Sequence, residues 1–148
     1  MSATLSGGCA CGAVRYQLLS EPFDGGWCHC RICQLNSGAP AMVFATVPEG
    51  DLVWTKGAEK VRAFASSHFG RREFCGECGT PFLMRVAHQP ETVDFSVATL
   101  DEPERVAPGF HIFWESRIGW FEPGDALPRH ARFRPDTRGL EGMDPPPP

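Results

Sequence analysis

Three cysteines fall within the six residues Cys28-His29-Cys30-Arg31-Ile32-Cys33. A thiolate is a soft ligand that suits zinc, and three so close together can hold one ion without help from elsewhere in the chain. Structural zinc sites close with four protein ligands, whereas catalytic sites keep three and leave the fourth position for water or substrate. The count at Cys28, Cys30 and Cys33 therefore points to chemistry carried out through an open zinc.

The other four cysteines form two pairs. Cys75-Gly76-Glu77-Cys78-Gly79-Thr80 is a C-x-x-C-G turn, which presents two sulfurs to one metal and needs two more ligands. Cys9 and Cys11 supply two, because residues i and i+2 project to the same face of an extended chain, and a bend at Gly12 lets them share an ion. This pairing divides seven cysteines into a closed four-thiolate site and an open three-thiolate one. The other division joins Cys9 and Cys11 to Cys28 and Cys30, but strands Cys33 and leaves the Cys75/Cys78 turn half-filled. His29 lies between two liganding cysteines and points the other way along an extended chain, which reads as a supporting group. His68, His88, His111 and His130 read as ordinary histidines that sequence does not exclude as a fourth ligand.

The elements that must position these residues are short. Val14, Tyr16 and Leu18 alternate in the manner of a half-buried strand, and apolar runs recur at residues 42–47, 52–54, 61–64, 82–86, 93–98 and 112–114. Glu21-Pro22 and Asp24-Gly25-Gly26 read as a turn, and residues 31–36 as a short helical turn ending at Ser37-Gly38. No sustained helical period exists, and fourteen prolines oppose long helices. The expected fold is mainly β, a single domain over residues 1–133 with short helical turns. A Pro-rich segment, 134–148, follows and is expected to be a flexible tail rather than a proline-recognition ligand.

Composition narrows the function classes. The chain has 148 residues, 42% hydrophobic and 22% charged, as expected of one globular domain. A net charge of −4 argues against a partner bound mainly through nucleic-acid phosphates. No run reaches the length of a membrane span, and MSATLSGGCACGAV shows no basic region followed by an apolar stretch, so the expected compartment is the cytoplasm. An odd number of thiols there reads as metal ligands rather than disulfides.

Three ordered blocks carry a specific resemblance: Gly7-Gly8-Cys9-Ala10-Cys11-Gly12-Ala13-Val14-Arg15-Tyr16, then Cys28-His29-Cys30-x-x-Cys33 with Ser37-Gly38-Ala39-Pro40, then Phe74-Cys75-Gly76-Glu77-Cys78-Gly79-Thr80. With Thr99-Leu100-Asp101, Pro108, His111-Ile112-Phe113-Trp114, Trp120 and Leu127-Pro128, they resemble the glutathione-dependent formaldehyde-activating enzyme family, which includes centromere protein V. The resemblance runs from about Ser6 to Phe133. It implies a β-tent fold like that of zinc-containing Rab-interacting proteins. It also implies two zinc ions per chain, a structural one on Cys9, Cys11, Cys75 and Cys78 and an open one on Cys28, Cys30 and Cys33. The implied activity is a carbon–sulfur lyase reaction, the addition of glutathione to formaldehyde to give S-hydroxymethylglutathione.

A substrate thiol is deprotonated on binding zinc. Addition of such a thiolate to an aldehyde, or polarisation of the carbonyl by the ion, are both compatible with the motifs. Glutathione carries two carboxylates that arginine forks would hold, and Arg31, Arg71 and Arg72 are the candidates. Phe113, Trp114 and Trp120 could wall a pocket. The alternative readings are a zinc-stabilised interaction module without catalysis and a zinc-transfer protein. The expected partners are a small thiol and an aldehyde, with neither nucleic acid nor membrane; the oligomeric state is not legible.

Overall fold

The alternation at Val14, Tyr16 and Leu18 produces the strand it predicts. In the computed structural model, which describes residues 4–87 and 89–134, β1 (Leu5–Gly8), β2 (Arg15–Leu18) and β5 (Leu52–Lys56) form a three-stranded antiparallel sheet. Leu5 lies opposite Leu18, and Tyr16 opposite Trp54. Val14, Tyr16 and Leu18 are all buried.

The second sheet has seven strands in the order β10-β3-β4-β9-β8-β7-β6. They are β3 (Phe23–Cys28), β4 (Met42–Pro48), β6 (Val61–Ala65), β7 (Gly70–Cys75), β8 (Pro81–Val86), β9 (Thr92–Ser96) and β10 (His111–Ile112). All neighbours pair antiparallel except β10, which runs parallel to β3. The two sheets face each other across a core of Tyr16, Leu18, Ala45, Val47, Phe82, Val93 and Phe95. Tyr16 meets Phe82 and Trp54 edge to face, a contact that adds roughly 0.5–1.5 kcal/mol to simple burial. Its hydroxyl is paired with Thr99 Oγ1 at 2.7 Å, so burial costs it no hydrogen bond. The mainly β expectation is met, with one helix, α1 (Arg31–Ser37), closed at Gly38.

Three strands depart from the sequence reading. Segment 23–28 was expected to turn at Asp24-Gly25-Gly26, yet it forms β3, because its backbone is paired on one side with β4 and on the other with β10. Gly26 is required there: a Cβ would lie 2.3 Å from the Phe110 ring. Residues 70–75, Gly-Arg-Arg-Glu-Phe-Cys, have no apolar alternation and still form β7 between β6 and β8, with Glu73 ion-paired to Arg85. Leu5–Gly8 forms β1 despite its two glycines. The run at 112–114 is shorter than expected, since Phe113 adopts positive φ and Trp114 begins a single 3₁₀ turn. The Pro-rich segment from 135 onward and His88 lie outside the described residues. Among the described residues no helix is long and apolar enough to cross a membrane.

Candidate functional site

The sulfurs of Cys9, Cys11, Cys75 and Cys78 all lie within 4.8 Å of one another. Cys9 and Cys11 sit in the turn joining β1 to β2, Cys75 ends β7, and Cys78 sits in the turn before β8, so the cluster joins the two sheets. Gly12 (φ 78°) and Gly79 (φ 83°) take the left-handed conformation that folds each turn back beneath its sulfurs. Val14 N–H donates to Cys9 Sγ (3.3 Å) and Glu77 N–H to Cys75 Sγ (3.4 Å). Such bonds favour the thiolate. Hydrogen bonds from Thr80 hold the Cys78 thiol down to about 5. Across the sheets Ala10 N–H donates to Thr80 Oγ1 at 3.1 Å. Four converging sulfurs, two of them supported by N–H···S bonds, could hold a tetrahedral zinc.

The second cluster is Cys28, Cys30 and Cys33, with sulfurs again within 4.8 Å of one another. Cys28 is the last residue of β3, Cys30 caps α1 by accepting from Cys33 N–H (3.3 Å), and Cys33 lies in the first turn of that helix. Cys28 and Cys33 are buried. Hydrogen bonds from Cys28 and Cys30, assisted by the Arg72 guanidinium, hold the Cys33 thiol well below its usual value, whereas Cys28 is pushed up by its two sulfur neighbours. Three convergent soft donors fit zinc with one coordination position left over.

The three sulfurs border a cavity of about 140 Å³, which α1, β3, β4, β7, β8 and β9 enclose together with the segment around Phe110–Phe113. Arg72 lines it. This arginine is only 7% exposed; its Nη2 lies 3.3 Å from Cys33 Sγ, its Nη1 3.8 Å from Met42 Sδ, and its Nε is buried without a partner. Asp94 lines it as well, accepting from Thr46 Oγ1 at 2.7 Å. Burial, partly offset by that hydrogen bond, pushes the Asp94 carboxyl up to about 6. It is a carboxylic acid that can exchange its proton near neutrality.

His29 is fully buried and faces away from the cavity. Its Nε2 is 2.8 Å from His111 Nδ1, and His111 Nε2 is 3.0 Å from Asp125 Oδ2. The pair is walled by Trp27, Trp114 and Phe121. Desolvation drives the His29 imidazole down to about 4, so it is neutral at pH 7. Gln34 Nε2 donates to His29 O (2.8 Å) and to Ser116 O (3.2 Å), tying α1 to the loop it caps. His29, the first of this chain, lies between Cys28 and Cys30 in the sequence.

Of the three arginines singled out in the sequence, only Arg72 lines the cavity. Arg71 is exposed on the other face of β7, as alternation requires, and Arg31 is exposed at the start of α1 with its Nη1 3.4 Å from Gln34 Oε1. Phe113 lines the cavity, Trp114 packs behind on His29 between Arg117 and Arg129, and Trp120 is 75% exposed. His68 packs against Phe69 and no histidine joins either sulfur cluster among the described residues. Asp94 and Asp125 had no signal in the sequence. Each is one carboxylate among eighteen acidic residues, placed by packing from strands and loops far away in the chain.

A two-sheet β domain with a four-sulfur cluster joining its sheets and a three-sulfur cluster on a cavity defines a protein with two cysteine clusters that could hold metal. Residues 4–116 match the family described as glutathione-dependent formaldehyde-activating enzyme, and the chain belongs to it. A relative from Halomonas elongata, provisionally named a glutathione-dependent formaldehyde-activating enzyme, is 28% identical over 129 residues, covering 80% of each chain. An uncharacterised lyase of Schizosaccharomyces pombe is 32% identical over 74 residues, half of this chain and 52% of that one. The crystal structure of a Rhodobacter sphaeroides protein superposes with a TM-score of 0.54 at 23% identity, over 84% of this chain and 98% of that one, and shares the fold.

Proposed function

We propose that the chain adds glutathione, or a related thiol, to formaldehyde or another small aldehyde to give an S-hydroxymethyl-type adduct, as a carbon–sulfur lyase. The observation that carries this reading is a three-sulfur cluster bordering a cavity that also holds a cation and an acid. Cys9, Cys11, Cys75 and Cys78 would hold a structural zinc, and Cys28, Cys30 and Cys33 a second one. Zinc at the second site would supply an open coordination position at which a thiol loses its proton near neutrality.

The chain's own residues account for the rest. As the carbon–sulfur bond forms, the carbonyl π pair moves to oxygen, which takes up the proton that the thiol gave up. Asp94, an acid poised at about 6 in the cavity wall, is suited to deliver it. Arg72, a fixed cation with an unpartnered Nε, is suited to hold the oxygen while it is negative. The test is calorimetric titration of the two-zinc protein with glutathione, followed by exchange-sensitive NMR of the adduct. Binding and a catalysed exchange rate are expected; absence of glutathione binding at millimolar concentration overturns the glutathione assignment.

A further inference from the structure

Six of the eleven phenylalanines, Phe44, Phe69, Phe95, Phe110, Phe113 and Phe133, line the cavity that borders the three sulfurs. Phe44 and Phe110 meet edge to face at 6.0 Å, and Phe113 and Phe133 at 5.0 Å, so the wall is packed rather than loosely collapsed. Ile32, Met42, Met84, Val86 and Ile112 add to the apolar surface. At about 140 Å³ the cavity is close in volume to an apolar cavity of roughly 150 Å³ that admits benzene. Formaldehyde, barely larger than water, would leave most of it empty.

The charges speak against the glutathione body lying inside. Among the described residues two lining groups are cations, and each already faces an acid or a sulfur: Arg72 at Cys33, and Arg134, 3.1 Å from Asp24 and stacked on Phe110 at 4.2 Å. The remaining polar lining is Thr46 with Asp94 and the neutral Ser66, Ser67, Gln89 and Thr92. A dicarboxylate placed among these would lose hydration and find only the single unpartnered Nε of Arg72 to answer two negative charges. An apolar group beside the carbonyl would lose none.

We infer that the cavity receives the apolar body of the aldehyde, an aryl or short alkyl group of about benzene size, with the carbonyl at the three sulfurs. This rests on the proposed thiol addition and names its substrate class. The same step holds for such an aldehyde: the sulfur–carbon bond forms, the carbonyl pair goes to oxygen, and the proton lost by the thiol ends on that oxygen.

The zinc-loaded protein is titrated with unreactive alcohols from methanol to octanol and with benzyl alcohol, by ligand-observed NMR. Affinity should rise about three- to fourfold per methylene to roughly six carbons and then level off, with benzyl alcohol among the tightest. Met84→Trp and Val86→Phe, which fill the wall without touching the sulfurs, should flatten the series while circular dichroism stays native. If neither variant folds, the alcohol series on the unaltered protein decides alone. Rates of glutathione addition to benzaldehyde and formaldehyde are compared in parallel. A rising series with no catalysed addition to any aldehyde keeps the cavity's ligand class and overturns the proposed reaction. Catalysed addition to formaldehyde with a flat series overturns this inference and keeps the reaction. A series that rises equally in both folded variants also overturns it, since the alcohols then bind elsewhere.

Discussion

Asp94 and Arg72 give the cavity its polarity, and each has a measurable signature. A carboxyl held at about 6 in the folded protein and 3.8 when unfolded binds its proton more tightly when folded. Its contribution to stability is therefore full below about pH 4 and is lost as pH rises through 6. Asp94→Asn should accordingly be more stable than the parent at pH 7.5, by on the order of 2 kcal/mol, with the gain vanishing near pH 4 in urea melts. The same variant should cost roughly 10²–10⁴-fold in turnover. A variant that is destabilised at neutral pH and fully active would show the carboxylate to be only a partner for Thr46. Arg72→Met should weaken metal at the three-sulfur site about 10–100-fold, as loss of a group bonded to a ligand does, read by competition with a chromophoric chelator. Sequence reading reached Arg72 only as one of three arginines, because alternation in β7 decides that it faces inward and Arg71 outward. That strand carries no apolar pattern to announce it.

At the scale of elements, the two clusters do different work. The four-sulfur cluster ties the β1–β2 turn to the β7–β8 turn and so spans both sheets, whereas the three-sulfur cluster is confined to the end of β3 and the start of α1. Cys75→Ala should yield an unfolded or insoluble chain, since a structural zinc contributes on the order of 10 kcal/mol in small domains. Cys33→Ala should remain folded and carry one metal instead of two, as read by circular dichroism and metal analysis. Equal unfolding of both would show that the second cluster is structural too. Most strands were legible as short β-branched or aromatic runs bounded by glycine and proline. β1, β3 and β7 were not; for β3 and β7, what makes them strands is pairing on both sides, a property of the sheet and not of their own residues. The helix was legible because its start, stop and cysteine spacing are all local.

Across the whole molecule, the sulfur clusters were legible because ligand identity and spacing travel together along the chain. The cavity was not, since its lining spans residues 24 to 134 and no local pattern foretells which phenylalanines converge. The His29–His111–Asp125 chain, its two imidazoles buried, has the same origin, with partners 82 and 14 residues apart. Exhaustive removal of metal should cause loss of both sheets as a single cooperative transition, because the core lies between them and its edges are joined at the four sulfurs. A far-ultraviolet spectrum unchanged after metal analysis reads zero would contradict that. The parallel pairing of β10 with β3 bears on how the molecule comes into being. Every residue of the sheet-joining cluster has left the ribosome once Cys78 has emerged, but Phe110, Ile112, Phe113 and Phe133 have not. The scaffold can set before its last wall exists. During that interval the three thiols of Cys28, Cys30 and Cys33 stand without Phe110, Phe113 and Phe133, which later wall their cavity.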